Sequence, residues 1–306
     1  MIKENIFMKR KLFISCLIGI MLLLRLPMVA QNSLLWEISG NGISAPSYLY
    51  GTIHIQDKRV FDFNDSLMPK LLGCSTFAME INVDSVNELK LTSMMFIEDG
   101  KTLEDIYSKK DYKMICKAFK KRMGFDILMF NSMKPFAIMT IMEAAEMMKG
   151  KKTDTSGTMM KEEMDMYLEG IAKENGKPVI GIETVDEQMA VISKMPNSML
   201  IDYLKNINKE DKTTEKMIEA YRHEELDKVL AMLDDKSSPM SVEFTDEILT
   251  KRNHIMADRI GDLIKTKTIF IAIGAGHLPG KEGVIELLLN NGFMVNAVIA
   301  PHTFKK

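Results

Sequence analysis

The chain has 306 residues, with 40 basic against 42 acidic side chains and a formal net charge of −2 at pH 7. Such a balance leaves no basic footprint for a polyanion and excludes nucleic-acid binding as the main function. The length suffices for one α/β domain with a substantial core.

At the N-terminus Lys9, Arg10 and Lys11 precede an apolar run of 13 residues, 12–24, which Arg25 closes before Pro27, Ala30 and Gln31. This is the basic, apolar, small-residue order of a secretory signal, and the run is shorter than the roughly 18 residues of a membrane span. Residues 1–30 are therefore expected to be a cleaved signal peptide, leaving 35 basic against 41 acidic residues. The expected location is the periplasm or cell surface, with no stable membrane span after cleavage. An uncleaved N-terminal membrane anchor is the alternative. Cys74 and Cys116 show no disulfide-framework or zinc-knuckle spacing and read as buried free thiols. The 28 methionines fall at helical spacing, as in residues 138–148, and read as core filler.

Beyond the signal, residues 34–38 and 47–55 read as strands joined by a turn at 39–42, an opening hairpin. A helix is expected over 64–73, with Asn64 as N-cap and Gly73 as its stop. Residues 75–81 read as a short buried strand, followed by helical spacing from about 86 to 175. A polar loop is expected at 149–159, a helix at 161–176, and a buried strand at 178–183. A second helical block covers 185–264, interrupted near 237–239. Strand 268–273, helix 283–291 and strand 293–299 complete the chain.

Two stretches stand out in this layout. "GTIH" (Gly51, His54) and "GAGH" (Gly274, His277) each place Gly-x-x-His at a strand end, followed by a helix and a further strand. Glycine there frees the backbone conformation or lets another segment approach closely. The fold expected is mixed α/β: a central mixed sheet from two pseudo-repeated halves, each with its Gly-x-x-His, in a single domain spanning 31–306. The helical block of about 86–264 is then an insertion. Ligands of such sheets bind beyond the carboxyl ends of the strands, where the topology switches, so both histidines should meet in one crevice.

Imidazole suits zinc, iron, manganese or cobalt, and a catalytic cation needs about three protein ligands. Glu80, at the end of its strand, is the nearest third donor, because a buried glutamate needs a partner. Glu183 holds the equivalent place after "PVIGI" and reads as a further ligand, a general base, or a partner orienting an imidazole. "GAGHLPG" lacks the third glycine of a dinucleotide fingerprint at its required position, and neither Gly-x-Ser-x-Gly nor His-Glu-x-x-His occurs.

Taken together, the segments 34–54, 77–82, Lys134 and Pro135, 164–188, 251–260 and 271–295 resemble the TraB/GumN family. That family is related to the Tiki metalloproteases and, more distantly, to erythromycin-esterase and ChaN-like proteins. The resemblance implies a divalent-metal site of His54, Glu80 and His277, with Arg252 and Asn253 supporting it or polarising a carbonyl oxygen. It implies structural roles for Asp165 and Gln188. A metal-dependent hydrolase acting on a peptide or small polar substrate is the expected function, with Glu80, Glu183, Arg252 and Asn253 as its catalytic group. A protein that sequesters a peptide, metal or haem without turnover is the alternative. The oligomeric state is left open.

Overall fold

The computed structural model describes residues 32–82, 84, 92–153, 160, 162–206, 212–233 and 246–303, without the side chains of 146–153 and 212. The expected signal segment, the stretch 86–91 and the break at 237–239 lie outside them. Residues Ser33–Lys306 form one compact unit. No helix among the described residues is long and apolar enough to cross a membrane.

Six strands build one sheet: β1 (Leu35–Gly40), β2 (Ser47–Thr52), β3 (Thr76–Met79), β4 (Val179–Gly181), β5 (Ile269–Gly274) and β6 (Phe293–Ala297), in the order β4-β3-β5-β2-β1-β6. β1 runs antiparallel to β2 and to β6, while β2, β5, β3 and β4 pair parallel in succession. β5 is buried along its length until Gly274, as expected of a parallel strand covered on both faces. β6 alternates buried and exposed positions, the pattern of an edge with one wet face. β4, expected to be buried, is only half-buried because it forms the opposite edge.

The order has a consequence for the site. β2 and β5 lie side by side, yet β2 leads towards β3 on one flank and β5 leads to β6 on the other. Their carboxyl ends therefore flank a topological switch point. The register pairs Gly51 with Ile273 and Thr52 with Gly274, so the two motifs leave the sheet at almost the same height.

The helices follow as α1 (Leu67–Gly73), α2 (Leu103–Ile106), α3 (Lys109–Met123), α4 (Pro135–Thr153), α5 (Met164–Glu174), α6 (Val185–Ile192), α7 (Ser198–Asn206), α8 (Lys212–Arg222), α9 (Leu226–Leu233), α10 (Lys251–Leu263) and α11 (Val284–Asn290). Several expectations shift. α1 starts at Leu67 after Ser66, and Asn64 instead closes a turn by accepting from Ser66 N at 3.1 Å. α4 continues to Thr153, through the start of the loop expected from 149. Glu80 and Glu183 sit just past their strands, where Glu183 N still donates to Glu80 O at 2.8 Å and holds the two residues side by side.

Two apolar clusters result. One surrounds the sheet and takes in α5, α8 and α10 through residues such as Leu168, Tyr221 and Met256. The other lies wholly among helices, around Leu103, Ile115, Phe119, Ile138, Met142 and Leu200. In α10 the buried positions Asn253, Met256, Ala257, Ile260 and Gly261 recur at three and four residues, one amphipathic stripe that carries Asn253 inward beside the sheet. Cys74 is buried and Cys116 half-buried, both unpaired.

Candidate metal and carboxylate site

Neither motif glycine has a left-handed backbone; both make room. A Cβ on Gly51 would stand 3.1 Å from Cα and Cβ of Ala275 and from Cδ2 of Leu278, the turn that carries His277. A Cβ on Gly274 would stand 3.1 Å from Glu80 Oε1. Thus each glycine admits a part of the site that the other half supplies.

His277 lies in a short 3-10 turn, Ala275–His277, and is 5% exposed. Its Nδ1 is 2.6 Å from Asn253 Oδ1. The Asn253 amide nitrogen donates to the Glu282 carbonyl at 2.7 Å, which fixes the amide so that its oxygen faces the ring. His277 therefore carries its proton on Nδ1 and leaves a lone pair on Nε2, which faces Glu80 Oε1 at 3.7 Å. Burial pushes the ring's pKa down to about 4 against the pull of Glu80, so it is neutral at physiological pH.

Glu80 sits in a dense donor shell. Oε1 accepts from Gly274 N at 2.8 Å, and Oε2 accepts from Arg252 Nη2 at 2.7 Å and Gln188 Nε2 at 3.2 Å. Burial alone would raise its pKa, but the cationic surroundings and the Gly274 N–H bring it down to about 2. His277 and then Arg252 are the charges that do this; at neutral pH, with His277 uncharged, Arg252 is the cation left beside the ionised carboxylate. The same guanidinium holds Glu183 through Nε, at 3.0 and 3.1 Å, and Nη2, at 2.6 Å. Arg252 Nη1 donates to Ile248 O at 3.2 Å, and Gln188 donates to Glu183 Oε2 at 3.2 Å. Arg252 is thus a clamp between two strand-end glutamates, consistent with the planar fork of arginine.

His54 has the opposite surroundings. It is exposed, and its Nδ1 lies 3.0 Å from Glu163 Oε2 and 3.1 Å from Asp165 Oδ2. The Glu163 hydrogen bond raises its pKa to about 9, against partial burial and with help from Asp165. Burial raises the Asp165 carboxyl, and His54 pulls it back. Asp165 Oδ1 and the Thr52 hydroxyl are buried without completing a hydrogen bond of ordinary geometry. His54, Glu80 and His277 are near enough to shift one another electrostatically.

All the expected residues fall on one edge of the sheet, with Arg252 and Asn253 reaching it from α10. Glu163 went unrecognised in the sequence because an acid in the first turn of the helix expected at 161–176 reads as a partner of its dipole. The donor types fit a divalent cation: Nε2 of His277 and Oε1 of Glu80 stand 3.7 Å apart, slightly wider than two tetrahedral ligands at about 2.0–2.2 Å from one cation. Among the described residues, however, no three His, Cys, Asp or Glu side chains are gathered into a metal-binding group. A separate cleft of about 210 Å³ in the helical layer, lined by Ile97, Lys134, Pro135, Phe136 and Met195, includes none of these residues.

Residues 34–297 match the TraB/PrgY/gumN family. The chain belongs to that family. Among curated proteins it is similar to the metalloprotease TIKI2 of Xenopus tropicalis, 24% identical over 89% of this chain and 61% of the relative. It is similar too to metalloprotease TIKI1 of Homo sapiens, 24% identical over 86% and 61%, and to the TIKI homolog of Amphimedon queenslandica, 23% identical over 89% and 63%. The chain thus spans about three-fifths of the length of these relatives. No solved structure matches it.

Proposed function

We propose that this chain is an exported metal-dependent peptidase, with His54, Glu80 and His277 as the ligands of one divalent cation, either zinc, manganese or cobalt. The observation that carries this reading is the buried, neutral His277, its Nδ1 locked by Asn253 and its Nε2 turned to Glu80. An imidazole oriented through its other nitrogen is how metal-ligating histidines are held. Export rests on the order of charges and apolar residues in 1–30, and the peptide substrate on the names of the relatives.

The cation would supply polarisation of the scissile carbonyl and a more acidic water. Around it, Arg252 keeps Glu80 ionised and takes up both oxygens of Glu183, so Glu183 serves as counter-charge and not as base. Asp165 is the better proton acceptor: burial raises its affinity for a proton, and Oδ1 has no completed hydrogen bond. Glu163 and Asp165 hold the Nδ1 proton of His54, leaving Nε2 as the donor.

The test is a peptide-library cleavage screen with added zinc, manganese or cobalt. Cleavage that needs the cation, and is lost in His54→Ala and His277→Ala, supports the proposal; cleavage persisting in both variants sinks it. The full donor shell of Glu80 favours a second reading, a non-catalytic protein that sequesters a peptide, metal or haem. Glu80→Gln separates the two: a peptidase loses turnover while retaining peptide affinity, and a binder has no turnover to lose.

A further inference from the structure

Far along the chain from the motifs, α3 carries seven cations and one acid, Asp111. Lys109, Lys110, Lys113, Lys117, Lys120 and Lys121 are all exposed. Among the described residues only Lys120 of these six meets a carboxylate, Asp126 at 3.1 Å. Lys109, Lys113, Lys117 and Lys121 recur every four residues and so form one stripe down the helix.

Gly124, at φ 85°, ends α3 in a left-handed cap, and the following turn holds Phe125, Leu128 and Met129 at 44%, 73% and 86% exposure. This turn is braced from below. Phe125 meets the buried Phe119 edge-on at 5.7 Å and Phe130 at 5.9 Å, and Ile127 is 2% exposed. Leu103 N donates to Asn131 O at 2.7 Å and Ile97 N to Ser132 O at 2.8 Å, tying its far end to the helical cluster. Large apolar side chains are thus held outward, next to lysines, by a fixed backbone. A contiguous exposed group of this kind marks a binding surface.

The charges decide between partners. Lysine is depleted from protein interfaces, whereas an inserted apolar tip ringed by lysines matches the acyl boundary and headgroups of an anionic bilayer. We propose that this tip docks on an anionic lipid surface, with Phe125, Leu128 and Met129 entering the headgroup boundary and Lys117 and Lys121 against the headgroups.

Trp36 is the single tryptophan and is buried, so Met129→Trp in the full chain gives a reporter at the tip, read against the unsubstituted protein. With vesicles of phosphatidylcholine and phosphatidylglycerol, the new tryptophan should shift to the blue and be quenched by brominated acyl chains. Partitioning should fall about tenfold or more in pure phosphatidylcholine, at high salt, or with Lys117→Glu and Lys121→Glu added. No spectral change with either vesicle overturns the proposal, as does equal partitioning into both. A blue shift that grows with protein concentration without vesicles also overturns it and assigns the tip to a second copy of the chain.

Discussion

The two Gly-x-x-His motifs share a spacing, a strand end and a sheet edge, yet their histidines are held in opposite states. His277 is buried, locked on an amide oxygen and pushed to a pKa of about 4; His54 is exposed, gripped by two carboxylates and raised to about 9. The shared motif sets where each ring sits. What each ring does is set by residues that the motif does not contain, Asn253 on one side and Glu163 with Asp165 on the other. A cation shared between them would thus have one preformed neutral donor and one that must first give up a proton.

The comparison breaks most severely at Arg252. Arg252→Met leaves Glu80 and Glu183 facing each other without their cation, and removal of one partner from such a buried pair costs about 3–5 kcal/mol. Denaturant unfolding should report that loss, and a variant as stable as the parent would mean the clamp is not holding the edge together. Next in size is Asn253→Leu, which removes the acceptor for Nδ1 of His277. Loss of an orienting partner of this kind lowers cation affinity about 10–100-fold. Titration calorimetry should show this with the fold intact, and a smaller drop for Glu163→Gln, because Asp165 still holds His54.

The glycines sharpen the contrast on a smaller scale. Gly51→Ala presses a Cβ against the Ala275 backbone and should cost about 1–3 kcal/mol as an overpacking change. Gly274→Ala is tight only against the end of the Glu80 side chain, at 3.1 Å, with His277 Cδ2 in ordinary contact at 3.6 Å. It should unfold within about 1 kcal/mol of the parent while lowering cation affinity, since the carboxylate has to move. Equal stability losses in the two would show that both glycines serve packing alone.

The contrast also shows in pH. Histidine NMR titration of the cation-free protein should place His54 near 9 and His277 near 4. His54, raised on folding, contributes stability that is full below its unfolded value of about 6.5 and is lost as pH rises through 9. His277, depressed on folding, costs nothing above about 6.5 and destabilises the fold as pH falls towards 4. Rings that titrate together would remove the asymmetry.

Much of this edge was legible from spacing. A strand ending in Gly-x-x-His twice over, with glutamates after two further strands, is enough to bring His54, His277, Glu80 and Glu183 to one side of a mixed sheet, because parallel strands put their carboxyl ends together. Arg252 and Asn253 entered through the family resemblance, but not their division of labour, which depends on the rotation of α10 against the sheet. Glu163 was hidden by an ordinary helix-start pattern. The glycines were expected to be conformational or spacious; the structure keeps only the second role, since neither needs a left-handed backbone. Boundaries shifted as well: α4 ran on past Lys149, and β4 proved an edge strand despite its apolar sequence.

Cobalt(II) titration followed by visible absorption tests the shared site most directly. The account predicts a ligand-field band that saturates at equimolar cobalt in the parent chain and is lost in both His54→Ala and His277→Ala, with circular dichroism unchanged. An undiminished band in either variant would contradict it, since one cation could not then depend on both histidines.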